Sequence, residues 1–282
     1  MKKNLCEDDR AQSVKGVAMR KVLVAVLALS ACGLLAQSVV SEHAAGPGFE
    51  VATIKPVAPQ EKASRYITMQ GNNRFVAKYY TLKLLIAAAY NLSPKVISGG
   101  PAWVDSDHFD VLALTPGDAR PAVPRQMAML QTLLTDRFKL SFHREPREFS
   151  VYALEIAKGG PKLTASTAPQ GEAAALISTV YPDHIHLPAK NATMSDFASL
   201  LQRALLDRPV VDRTGLSGRY DFNLDWAPDE TQFGGELPAA SADAQAPPFF
   251  TAIEQQLGLH IEATHGTVDA LVIDNVEPPT AN

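Results

Sequence analysis

The stretch Val210-Val211-Asp212-Arg213-Thr214-Gly215 comes nearest to a reaction motif, because aspartic proteases present a catalytic carboxylate where an apolar strand runs into Asp-Thr-Gly. Here Arg213 splits the triplet, and the chemistry needs two carboxylates sharing a proton where the chain has one copy. The glycines of Thr214-Gly215-Leu216-Ser217-Gly218 read as turn formers. His184 and His186 would share one side of a strand and could both reach a metal, but two ligands are too few for a site. His108, His143, His260 and His265 follow no metal-binding spacing. Neither G-x-S-x-G nor S-x-x-K occurs, and Gly99-Gly100 and Gly159-Gly160 each precede a proline, not the Lys-Ser/Thr of a phosphate loop. The sequence therefore assigns no catalytic residue, no metal ligand and no cofactor.

A set of residues suited to binding remains: Trp103 and Asp105 in the first half, and Asp212, Arg219, Asp221 and Trp226 in the second, with Trp and Arg as natural anchors of a contact surface. The competing reading of the same residues is structural, with tryptophans packing and Arg–Asp pairs fixing strand turns. Either role requires a scaffold that brings strand ends to the surface.

The scaffold begins after a segment that composition sets apart. Arg20 and Lys21 precede an apolar run, Val22 to Ala36, which reads as a secretory signal over residues 1–38, with Met19 as the true start. The run of about 15 residues is shorter than a stable bilayer-spanning helix. Two cleavage sites compete: Ala36-Gln37-Ser38 for ordinary signal peptidase, and Leu29-Ser30-Ala31-Cys32, in which Cys32 would carry a lipid. Cys6 and Cys32 are the only cysteines, so the mature part has no disulfide and must hold itself by its core. Removing residues 1–38 takes six basic and three acidic residues and leaves 20 against 27, a net charge of −7. That balance argues against nucleic acid as a partner and against membrane contact other than through the signal or a lipid.

The rest of the chain repeats one pattern. Tyr66–Met69 and Arg74–Ala77 flank a Gly-Asn-Asn turn, as Ile177–Tyr181 and Ile185–Leu187 flank Pro182-Asp183. Thr81 and Thr193, 112 residues apart, look like N-caps of amphipathic helices. Strands follow at Phe109–Ala113 and Tyr220–Leu224, then second helices at Arg125–Asp136 and Phe249–Leu257. Each copy is expected to close with its own strand pair, Phe138–Phe142 with Val151–Ile156 and Leu257–Ile261 with Val268–Ile273, the closing strands lying 117 apart. The expectation is an α+β protein of two tandem related units, 39–160 and 176–282, each with two helices on a mostly antiparallel sheet, joined by a linker over 161–175. Residues 227–248 read as a long surface loop.

Several of these segments together resemble an uncharacterised exported family that is expanded in Acidobacteria and carried as a domain of unknown function. They include Phe49-Glu50-Val51-Ala52-Thr53-Ile54-Lys55-Pro56, Gly99-Gly100-Pro101-Ala102-Trp103-Val104-Asp105, Lys158-Gly159-Gly160-Pro161-Lys162-Leu163 and Pro209-Val210-Val211-Asp212-Arg213-Thr214-Gly215. The resemblance covers residues 49–282 and implies no activity. A fainter likeness of each copy's second half is to the small periplasmic docking domains of secretins and TonB-dependent receptors. Export, repetition and the lack of a reaction motif lead to the expectation of a non-catalytic binding or docking module of the cell envelope, with a protein or small-molecule partner. The alternatives are an envelope hydrolase using acidic residues at the strand turns, and a structural cell-surface protein.

Overall fold

A computed structural model describes residues 46–58, 65–169, 171–235, 239 and 244–279. The expectations for Met19, Cys32 and the signal segment 1–38 lie outside these residues. In chain order the elements are β1 (Val51–Val57), β2 (Tyr66–Gln70), β3 (Arg74–Thr81), α1 (Leu82–Tyr90), β4 (Ile97–Gly99), α2 (Trp103–Ser106), β5 (His108–Leu114), α3 (Val123–Phe138) and β6 (Ser141–Ile156). There follow β7 (Thr164–Ala165), β8 (Ala175–Leu176), β9 (Thr179–Val180), β10 (Ile185–Ala192), α4 (Met194–Leu200), β11 (Val210–Asp212), β12 (Tyr220–Trp226), α5 (Phe249–Ala252) and β13 (Leu259–Asn275). Helices α4 and α5 each run on into a π-helical turn, Leu201–Leu205 and Ile253–Leu257.

These elements build three sheets. Sheet I has the order β1-β5-β3-β2 and is antiparallel throughout; sheet II has the order β7-β12-β10-β8, with β9 also on β10. Sheet III, β11-β6-β13-β4, takes strands from both halves of the chain. Thr81 and Thr193 do cap their helices: Thr81 Oγ1 accepts from the Leu84 amide, and Thr193 forms a reciprocal capping box with Asp196.

Sheet III is where the structure departs from the expected closing strand pairs. Phe138–Phe142 does not turn back on Val151–Ile156. Instead β6 runs straight for 16 residues, β13 for 17, and the two pair with each other antiparallel from Leu259↔Ile156 to Asn275↔Ser141. The physical reason lies in His143–Ser150, which contains no glycine or asparagine able to make a tight reversal, so the strand continues. Pro146 is tolerated because β11 pairs only Tyr152–Leu154 of β6, leaving the outer edge at Pro146 without a ladder to break.

The crossing strands serve both cores. One core packs sheet I against α1 and α3, and holds Leu140 from before β6 together with Leu271 and Ile273 from the end of β13. The other packs sheet II against α4, α5 and their π turns, and holds Leu259 and Ile261 from the start of β13 together with Leu154 from the end of β6. Each long strand thus begins in one core and ends in the other. The short parallel additions follow the same exchange: β4 pairs with Leu271–Ile273 of β13, and β11 with Tyr152–Leu154 of β6.

The segment 161–175 is bonded into this frame. β7 adds to the edge of β12, and the Lys162 amide donates to the Leu257 carbonyl, closing the C-terminal end of the π turn. Among the described residues no helix is long and apolar enough to cross a membrane.

Candidate functional site

The six residues singled out from the sequence are spread over the molecule. Trp103, half-buried on α2, stacks near Phe138 with ring centroids 6.5 Å apart and meets Phe109 edge-on at 6.3 Å. Asp105, on the same short helix, pairs with Lys83 of α1 at 2.6 Å. Trp226 is fully buried, donates from Nε1 to Gln232 Oε1 at 2.8 Å and packs on Phe249. Gln232 in turn donates to Asp229, so the start of the 227–248 loop is fastened to the core by this indole. Asp212 Oδ1 accepts from the amide and hydroxyl of Thr214, two residues on, which fixes the turn after β11.

Arg219 and Asp221 do converge, and their target is the backbone of Asn191. That residue takes a left-handed conformation, φ 51°, at a bulge where the β10–β12 register shifts. The Asn191 amide donates to Asp221 Oδ1 at 2.8 Å, its carbonyl accepts from Arg219 at 2.8 Å, and Lys190 Nζ lies 3.3 Å from Asp221 Oδ2. Sheet I holds the same device. Tyr79, φ 56°, sits at the β3–β5 register shift, donates its amide to Asp110 Oδ1 at 3.0 Å, and is preceded by Lys78, which pairs with Asp110. A carboxylate bound to a left-handed bulge amide and a neighbouring lysine is therefore a fixture of the scaffold at both places.

The Asn191 amide first, then Ser166 and Lys190, hold the Asp221 carboxyl below the usual carboxylate range. A lowered folded-state pKa means stability that is present above the unfolded pKa and lost as pH falls through the folded one. Asp221→Ala should therefore lower the melting midpoint at neutral pH, and the gap from the parent chain should close as the solution is acidified below the ordinary aspartate range. A pH series of thermal melts checks this; a gap independent of pH would show that the carboxylate charge is not what holds the bulge.

Of the histidine pair only His186 lies on β10, with Nδ1 2.7 Å from Asp225 Oδ1; His184 precedes the strand in the turn, its Nδ1 2.8 Å from Asp183 and its ring stacked on Tyr181. Among the described residues no group of three or more His, Cys, Asp or Glu is placed to hold a metal ion.

A different surface stands out once side chains are placed. The inner face of sheet I is buried under its helices, while the outer face carries Val51, Leu114, Arg74 and Gln70 in one cross-strand row, and Thr53, Leu112, Val76 and Thr68 in the next; Val76 is buried among its neighbours, and the others are exposed or half-buried. Lys55 and Asp110 follow, then Lys78 opposite Tyr66. Leu112 is 47% exposed, Leu114 36% and Val51 60%. A groove of about 320 Å³ runs over this face, lined by Lys55, Arg74, Lys78, Val76 and Leu112 among others. The sequence did contain the signal. Leu112-Ala113-Leu114 is apolar on both faces of its strand, whereas Asn223-Leu224-Asp225 in β12 alternates as a half-exposed strand should.

The fold is that of a mixed α/β protein of several antiparallel sheets and few helices, and sheet I carries exposed apolar and cationic side chains on its outer face. The sequence profile of a family described as "Protein of unknown function (DUF3738)" matches residues 83–276, more than half of the chain, and the protein belongs to that family. No curated protein and no solved structure matches it significantly.

Proposed function

We propose that the protein is an exported binding or docking module of the cell envelope. The observation that carries this reading is the contrast between its polar groups. Asp105, Asp212 and Asp221 are each engaged within the scaffold, while Leu112, Leu114 and Val51 are offered to solvent on a sheet face beside Lys55 and Arg74. Exposed apolar side chains grouped on one face favour association over hydrolysis. Export rests on the segment from Arg20 to Ser38, with Cys32 as an alternative point of lipid attachment.

Tandem duplication belongs to the same proposal. It is supported by the paired Thr caps, by the two bulges with their Lys and Asp partners, and by strand pairs that correspond one for one: Arg74↔Leu114 with His186↔Asp225, Val76↔Leu112 with Pro188↔Asn223, and Phe75↔Ala113 with Leu187↔Leu224. On this view the copies kept their frame and diverged on their outer faces.

The test is site-specific photo-crosslinking in the producing cell, with the reactive side chain at Leu112 and, separately, at Asn223. A discrete adduct from position 112 and none from 223 is expected. Equal labelling from both positions, or none from either, would overturn the assignment of this face.

A further inference from the structure

We propose that the outer face of sheet I binds an amphiphilic anion, a molecule with one phosphate or carboxylate head and an apolar tail; this rests on the docking reading above and names its ligand class. The first observation is a comparison within the chain. Sheet II supplies a face built from the same strand pairs, and there the positions of Leu112, Leu114, Val76 and Arg74 are held by Asn223, Asp225, Pro188 and His186. Where that face meets water it is polar, with Asp225 bonded to His186. The scaffold therefore does not require leucine at these two positions, and leaving Leu112 and Leu114 exposed costs hydrophobic free energy that a polar residue would avoid.

The second observation is charge. Lys78 is engaged by Asp110, but Lys55 and Arg74 have no ion-pair partner among the described residues, in a chain whose formal net charge is −4. Two unpaired cations on the rim of an apolar groove complement an anionic head with an apolar tail. The groove, about 320 Å³, has the capacity of a small-molecule site, and Lys55 and Arg74 are among its lining residues. A groove of that volume suits a single amphiphile.

The test is calorimetric titration of the full-length chain with decyl phosphate and with decanoate, both below micelle formation, and with decyltrimethylammonium as the cationic control. Two double variants accompany the parent, Leu112→Asn with Leu114→Asp, and Lys55→Gln with Arg74→Gln. The first pair borrows residues that the chain already carries on sheet II, so it should fold, and thermal melts verify this for both. Saturable binding of at least one anion is expected, weakened tenfold or more by either double variant, with no binding of the cationic amphiphile. Unchanged affinity in the variants, equal binding of the cation, or no saturable binding of either anion would overturn the proposal. Binding confined to phosphatidylglycerol vesicles would overturn it in favour of a membrane surface. If neither anion binds while crosslinking from position 112 still succeeds, the ligand class fails and the docking reading stands.

Discussion

Gly258→Val is expected to destabilise the protein by about 4 kcal/mol or more, at the upper end of single substitutions. Gly258 ends the π turn after α5 in the left-handed region, φ 63°, and a Cβ there would stand 2.0 Å from the Gly160 carbonyl oxygen. Two effects add. A β-branched residue is strained at this φ, and the 157–162 turn must move away from the helix end. That turn is bonded in place through Ala157 N to Gly258 O at 3.0 Å, Lys162 N to Leu257 O at 2.7 Å and Lys162 Nζ to Gln255 O at 2.7 Å, so displacing it frees helix carbonyls. Chemical denaturation of the purified chain measures the loss. The control is Lys139, which ends α3 in the same conformation at φ 52° without the close carbonyl. Lys139→Gly removes the left-handed strain of a side-chain-bearing residue and should change stability by no more than about 1 kcal/mol. Similar effects at 258 and 139 would show that backbone conformation, and not the close approach, controls the first position.

Leu271→Ala tests the strand exchange. Leu271 is fully buried in the core of sheet I, although it belongs to the last strand of the chain. Truncating a buried leucine costs about 2–5 kcal/mol, from lost transfer free energy and the cavity left behind. The site of the damage is the informative part. Amide hydrogen exchange should rise first in α1, α3 and β5, which share that core with Leu271, before it rises in α4 and β10. Leu154→Ala should do the reverse, loosening α4 and β10, because the end of β6 lies in the other core. Loosening confined to the half of the chain that carries each substitution would contradict the exchange.

Much of the frame is legible in the amino-acid order because it is enforced locally. Thr81 and Thr193 act as N-caps because a threonine oxygen accepts from an amide two or three residues on, and the apolar spacing after each needs only one helix face to be buried. Asp212-Arg213-Thr214-Gly215 is a turn for an equally local reason, the side-chain bonds from Thr214 to Asp212. The candidate site was less legible. Asp221 and Trp226 have residue types that suit a binding surface, but burial of the indole and the Asn191 amide beside the carboxylate are set by strands far apart in sequence.

What only the tertiary structure decided is partner choice and outward direction. A strand's alternation states which side is apolar but not which strand lies beside it, so β6 and β13 read from sequence as parts of two local strand pairs, whereas in the fold they pair with each other. The surface set changed for the same reason. Lys55, Arg74, Leu112 and Leu114 are unremarkable as letters, and become a surface only because antiparallel pairing of β1, β5 and β3 puts them in adjacent rows on one exposed face. By itself the sequence determined the two threonine caps and the Asp212–Gly215 turn, because those depend on neighbours within a few residues; the continuation and pairing of the long strands and the character of the open face depend on contacts that only the folded chain makes.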